Sequence, residues 1–180
     1  MQQMDTSDVT CHVRTFKAGV LASVGHDLLL RVTRLTLHMV GQPRRLKATF
    51  DAQSLVVVCA MKGGQRLTEA LSPRDRKEIE RNVARQVLRS DAFDEICFVS
   101  EPLDAGLPPR VIGDLTLLGL CRPVEGEVQR VGDRLEARVD LDQRNFGIAP
   151  FSAMFGALRV RPLVQILVTA PASLFVGARV

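Results

Sequence analysis

Three histidines are the first places to look for a reaction in this 180-residue chain. Ser23, His26 and Asp27 lie close together and have the residue types of a nucleophile, a base and an orienting acid. Neighbours on an extended strand point to opposite faces, however, so His26 and Asp27 are poorly placed to form a dyad. A hydrolase using His26 stays as an alternative that would gain if His26 sat in a cleft beside another titratable group. His12 and His38 fall on the polar parity of their own strands and read as surface residues, without ligand spacing for a metal. Asp91, Asp94 and Glu95 are better explained as a solvated turn than as paired acid and base. Gly63-Gly64 has neither the Lys-Ser/Thr sequel of a phosphate loop nor a helix starting directly after it. Cys11, Cys59, Cys97 and Cys121 are scattered, lack the paired spacing of a zinc or redox site, and read as small core residues. The expectation is therefore no catalytic set, no metal and no cofactor.

Composition narrows the function classes further. The chain is long enough for one domain with a sizeable core, and no Pro/Gly/Ser linker divides it, so residues 1–180 are taken as a single domain. A net charge of +4 comes with no Trp and no Tyr. Stacking platforms for single-stranded bases would have to be built from Phe alone, which disfavours nucleic acid as a partner. No apolar run approaches the roughly 18 residues of a membrane span. Met1 to Cys11 has neither a basic start nor an apolar stretch, which reads as a cytoplasmic protein, or a periplasmic one if the chain is a trimmed mature form.

The elements that must position any site are mostly strands. Asp8 to Phe16 alternates Val9, Cys11 and Val13 against Thr10, His12 and Arg14. In Asp27 to Val40 the apolar phase slips: Leu28, Leu30 and Val32 share one parity, Leu35, Leu37 and Met39 the other. A bulge or bend near Thr33 would return both sets to the inside. Leu46, Ala48 and Phe50 face inward on the next strand, and Leu55 to Ala60, apolar on both parities, reads as a strand covered on both sides. Lys17 to Gly25 reads as a short helix or loop crossing one end, and Pro102 to Pro109 as a long turn. Glu95 to Glu101 and Arg134 to Asp140 are further strands. Leu158 to Val168 reads as one long closing strand interrupted by Pro162, with Val176 to Val180 frayed.

One helix stands out, Ser72 to Arg89. Ser72 and Asp75 have capping-box spacing, Pro73 takes the first helical position, and Ile79, Val83 and Val87 form an apolar stripe to bury against the sheet. Arg74, Lys77, Arg81 and Arg85 share another face. A solvated face and a contact with anionic lipid head groups are the two readings of it.

The stretch Gly113 to Val124, GDLTLLGLCRPV, organises the rest. Asp114 and Thr116 mark a wetted face, Leu115 and Leu117 an apolar one, and Gly119 suits the turn of a hairpin that continues to Val128. This G-D-L-T-hydrophobic-x-G strand followed by P-V resembles the hallmark hairpin of the YceI-like family. The segment VLRSDAFDEICF (residues 87–98) is similar to the family's L-x-S-x-x-F helix end and I-x-F strand. RNFGI (residues 144–148) is similar to its R-x-x-F-G motif, one residue shortened. The likeness covers about residues 8–170.

What the resemblance implies is a mainly β protein, an antiparallel lipocalin-like β-barrel with one amphipathic helix, that binds, carries or sequesters a long-chain apolar lipid. Polyisoprenoids, quinone-like lipids and fatty acids or amides are the candidate ligands. Inward parity and apolar size nominate Leu28, Leu30, Leu35, Leu37, Phe50, Phe98, Leu115, Leu117, Phe146, Phe151, Phe155 and Leu158 as ligand-binding residues, with Met154 beside the last of them at an apolar mouth. The rival reading is a solid-core barrel serving as a protein-interaction or stress-related scaffold.

Overall fold

The computed structural model describes residues 8–18, 26–103, 109–153 and 158–173. The strands are β1 (Thr10–Thr15), β2 (Lys17–Ala18), β3 (Asp27–Val32), β4 (Leu35–Val40), β5 (Arg45–Asp51), β6 (Leu55–Lys62) and β7 (Gln65–Leu67). After the helix α1 (Pro73–Asn82) come β8 (Glu95–Ser100), β9 (Arg110–Leu117), β10 (Leu120–Val131), β11 (Arg134–Asp142), β12 (Ser152–Ala153), β13 (Leu158–Val160) and β14 (Leu163–Pro171). Eleven strands form one antiparallel sheet in the order β4-β5-β8-β9-β10-β11-β14-β1-β3-β6-β7, and β12-β13-β2 form a small second sheet. The fold is mainly β, as the alternation predicts.

The sheet curls because one hairpin belongs to both of its ends. β3 and β4 are a single bent strand with only Thr33 and Arg34 between them, which is where the apolar phase slips. β5 and β6 bend at the same level, through a 3-10 turn at Ala52–Ser54. The β3–β6 half of this hairpin pairs with β1, whereas the β4–β5 half pairs with β8. Counting each bent strand once, hydrogen bonding runs through eight positions: β1, β3–β4, β5–β6, β8, β9, β10, β11 and β14. An interior of that size is either just filled by side chains or holds one small ligand.

Ser54 holds the bend. Its carbonyl accepts both the backbone N–H of Thr33 (3.0 Å) and the Thr33 hydroxyl (2.9 Å), and its own Oγ donates to the Asp51 carbonyl at 2.8 Å while accepting from the Arg34 backbone N–H at 3.0 Å. Asp51 adds a 2.8 Å ion pair to Arg34. At only 2% exposure, Ser54 would leave these backbone groups without water to replace it.

The central hairpin has the sequence-read geometry. β9 and β10 are joined by Leu118 and Gly119, both left-handed (φ 52 and 74), the two-residue turn whose twist suits flanking strands. Leu115 and Leu117 are buried and Asp114 is exposed. Gly113 also points inward, where a Cβ would stand 2.3 Å from the Val99 carbonyl oxygen. Only a glycine lets β8 and β9 approach so closely.

Other expectations are corrected. The closing strand is two: after Val160 the chain breaks at Arg161-Pro162, so β13 joins the small sheet while β14 pairs with β1 and β11. Residues 17–18 are strand rather than helix or loop, and 19–25 lie outside the described residues, as do 104–108 of the Pro-rich turn and 176–180. All four cysteines are free, but only Cys11 and Cys59 are core residues. Cys97 is half-buried and Cys121 is exposed on the outer face of β10. His12 is also more than a surface residue. It sits half-buried on the outer face of β1 opposite Arg31, and burial together with the charges of Arg66 and Arg31 lowers its pKa from 6.5.

Two outcomes follow from this frame. Ser54→Ala should cost about 1–3 kcal/mol in chemical denaturation, since it strands buried partners rather than removing a complete pair. For His12, a lowered folded pKa means that the unfolded chain takes up the proton more readily. Stability is therefore full above 6.5 and falls as pH drops below it. Denaturation midpoints across this range should fall less steeply in His12→Gln than in the parent.

Candidate functional site

The inner faces of the strands do not fill the curled sheet evenly. At one end Val9, Leu37, Ala48 and Ala170 form a buried cluster, with Leu35, Leu46, Phe50, Phe98 and Val168 packed against it. At the other end is an apolar cavity of about 470 Å³. Its walls are Cys11 and Val13 of β1, Leu28, Leu30 and Val32 of β3, Leu115 and Leu117 of β9, Leu141 of β11, and Val164 and Ile166 of β14. Phe50 both lines the cavity and packs on the buried cluster, so it forms the floor. Phe146, behind the wall, joins Leu115, Leu117, Leu141, Val164 and Ile148, which line the cavity, in a second cluster.

The helix completes the enclosure. Ile79 of α1 and Val83 and Val87 of the π-helical turn that continues it (Val83–Val87) face the cavity, with Leu71 before the helix and Leu88 after it. The helix starts on the capping box read from sequence: the Asp75 backbone N–H donates to Ser72 Oγ at 3.1 Å, and the Asp75 carboxylate accepts from the Ser72 N–H at 3.0 Å. The Ser72 hydroxyl, which donates to the same carboxylate at 2.7 Å, and the Ser72 N–H together hold the Asp75 carboxyl below the usual carboxylate range. A second tie fixes the helix to the barrel. β6 slips register against β3 between Leu29 and Leu30, and β7 covers it only from Ala60 to Lys62. The Val57 N–H is thus left for the Glu80 carboxylate, which accepts it at 2.8 Å. The register slip also explains why β6 is apolar on both parities: Leu55 faces the cavity before it, whereas Cys59 and Met61, of the same parity, cluster with Leu29 on the other side after it.

At the mouth the lining turns polar: Thr15 and Lys17 on and beside β1, His26 ahead of β3, Asn82 at the end of α1, Gln143 after β11, and Arg159 of β13. The small sheet builds this rim. β2 and β13 pair Lys17 with Val160 and Ala18 with Arg159, and the Val160 N–H donates to the Phe151 carbonyl at 2.9 Å. Asp27 anchors the turn by accepting the Lys17 backbone N–H at 2.9 Å. Gln143, 7% exposed, donates from Nε2 to the carbonyls of Arg161 and Pro162, both at 3.2 Å. Arg144 forms a 2.5 Å ion pair with Asp142 at the base of this loop, which lowers the Asp142 pKa, and Gly147 (φ 70) ends it.

Of the twelve nominated ligand-binding residues, Leu28, Leu30, Phe50, Leu115, Leu117 and Phe151 line the cavity. Leu35, Leu37 and Phe98 do not, because they lie at the packed end, and Phe146 does not, because the 3-10 turn Gln143–Phe146 folds it into the core behind the wall. Phe155 and Met154 lie outside the described residues, as does the side chain of Leu158. Parity distinguishes inside from outside but not one end of a barrel from the other. Cys11, Val13 and Val32 were legible as inward-facing, whereas the rim of Lys17, His26 and Arg159 left no signal, being assembled from segments far apart in sequence.

His26 does sit in a cleft with another titratable side chain, Lys17. The described lining holds no Ser, and its one hydroxyl is that of Thr15. Cys11 is the one thiol there, and burial pushes it up to about 12, so it stays protonated and unreactive. Asp27, bound to the Lys17 backbone, is not part of the lining, and Ser23 lies outside the described residues. Among the described residues no group of three or more His, Cys, Asp or Glu is placed to hold a metal ion, and no helix is long and apolar enough to cross a membrane.

No protein-family model matches the sequence. A search of curated proteins finds no match either. Solved structures do match. BcnA of Burkholderia cenocepacia superposes with a TM-score of 0.56 at 12% identity, covering 92% of this chain and 98% of that one. A polyisoprenoid binding domain from Saccharophagus degradans, implicated in plant cell wall breakdown, gives 0.53 at 11% identity, covering 91% and 98%. The YCEI protein of Campylobacter jejuni matches more loosely, at 0.44 and 13% identity over 79% of this chain and 83% of its own, too loose to build on. At such identities the likeness is one of fold. What the hairpin motifs and the curled sheet establish together is that this chain has the YceI-like, lipocalin-shaped fold.

Proposed function

We propose that the protein binds a long apolar chain in the open half of its barrel and acts as a carrier or sequestering protein. The observation that supports this most is the cavity: about 470 Å³, walled mainly by aliphatic side chains from β1, β3, β9, β11 and β14 and closed over by Ile79, Val83 and Val87. A pocket of this size and lining falls in the range of small-molecule sites. That a neighbour in fold is a polyisoprenoid binding domain lends support to a lipid as the ligand. Leu28, Leu30, Phe50, Leu115, Leu117 and Phe151 would contact the chain. The scaffold reading draws on the packed end of the barrel but gives the cavity no role.

The outward face of α1 suggests how such a chain arrives. Arg74, Lys77, Arg81 and Arg85 are all exposed, while Glu80 is turned to the sheet, leaving Glu78 as the neighbouring acid on that side. A basic face on the helix that covers a lipid cavity suits transient contact with an anionic membrane surface.

Native, unheated protein should carry a co-purified lipid detectable by mass spectrometry. Leu117→Trp should leave stability nearly unchanged, because the ring has cavity to occupy, and should reduce lipid uptake. A loss of about 1–3 kcal/mol from a parent that carries no lipid would instead mark a filled core and favour the scaffold. Arg81→Gln with Arg85→Gln should preserve stability and weaken binding to anionic vesicles in a flotation assay. Unchanged vesicle binding would remove the membrane step.

A further inference from the structure

Resting on the reading that the cavity holds a lipid, we infer that Gln143 selects its head group: the ligand is a neutral lipid whose hydroxyl or amide N–H donates a hydrogen bond to Gln143 Oε1. Gln143 comes next but one after Leu141 of the aliphatic wall, and it lines the cavity at only 7% exposure. Its amide is held in one orientation. The Gln143 backbone N–H donates to the Pro162 carbonyl at 3.0 Å, and Nε2 donates to the Arg161 and Pro162 carbonyls, both at 3.2 Å. A carbonyl accepts and never donates, so turning the amide over would set Oε1 against two oxygens. The amide N–H groups are thereby used on the break between β13 and β14, and Oε1 is left over. Among the described residues no donor reaches it.

An acceptor on so deeply buried a side chain costs free energy unless a donor meets it. Water can serve while the cavity is open, but an apolar chain that enters displaces water, and affinity is lost unless the chain brings a donor of its own. The charges of the rim do not favour a different head. Lys17 and Arg159 already have interaction partners within the chain, so neither calls for an anion, and the described lining holds no carboxylate for a cation. A quinone, an ester, an ether and an ionised carboxylate carry acceptors only, and each would set oxygen against oxygen at Gln143. A hydroxyl or an amide supplies the missing hydrogen.

The test is displacement of the hydrocarbon fluorophore diphenylhexatriene from the delipidated full chain at neutral pH. Hexadecanol and hexadecanamide, which donate, are compared with hexadecyl methyl ether and hexadecanoate, which do not. The two donors should bind about fivefold more tightly than the ether and the carboxylate, the factor that one net hydrogen bond supplies. In Gln143→Met, hexadecanol should fall to the level of the ether. Gln143→Lys still donates to the Arg161 and Pro162 carbonyls but has no acceptor, so the same loss there separates the missing acceptor from damage to the loop. Ether or carboxylate binding as tight as that of hexadecanol in the parent, a comparison that requires no variant to fold, would overturn the inference while leaving a lipid cavity in place. A preference undiminished in both variants would do the same. If no lipid, probe included, binds at all, the proposed function fails with it.

Discussion

The bend shared by the β3–β4 and β5–β6 strands is the constraint on which the remaining architecture rests. A straight hairpin could extend only one end of the sheet. Bent at Thr33-Arg34 and Ala52–Ser54, it pairs with β1 through one half and with β8 through the other. The corner is expensive in exposed backbone groups, and the hydrogen bonds centred on Ser54 and Asp51 offset that cost. The same bend explains why the interior is divided. Below it the hairpin's inward residues, Leu37 and Ala48, close into the packed cluster, and above it Leu28, Leu30 and Leu55 stand around space.

The space persists for reasons of side-chain size and of strand supply. With no Trp and no Tyr in the chain, the upper half is lined by Val, Leu and Ile, whose reach from an eight-position ring leaves the centre open. On that level the wall also lacks a strand, because β6 is paired beyond β3 only by the short β7. Helix α1 takes the missing place, its apolar stripe inward and its Glu80 carboxylate standing in for a strand carbonyl at the Val57 N–H. A helix tied to the sheet edge by side-chain contacts is easier to displace than a laddered strand. The π-helical turn at Val83–Val87 falls within its cavity-facing part. The element that closes the cavity is therefore held to the barrel by side chains and not by a strand ladder.

A packed end and an open end stand in one barrel, so the filled interior of one reading of the sequence and the cavity of the other are each present in one half of the molecule. The polar rim of the open end is built on the smaller of the two sheets.

How much of this was legible beforehand depends on how far each feature reaches along the chain. Alternation is a local property, so the strands, the inward set of β9, the turn at Gly119 and the capped helix could all be read from residues a few positions apart. The phase slip at Thr33 announced the bend for the same reason. Depth along the barrel is not local. Leu30 and Leu37 share an inward face and look equivalent in sequence, but one lines the cavity and the other is in the packed core. Phe146 looked like a mouth residue until the 3-10 turn carried it behind the wall. Lys17, His26, Gln143 and Arg159 become a rim only when β2 meets β13 across most of the chain's length, and Cys121 is outside because β10 places it there. The sequence by itself determined which residues face inward, since a strand's period of two requires no partner. Tertiary structure alone decided which of them enclose space, because a cavity is a property of what stands opposite.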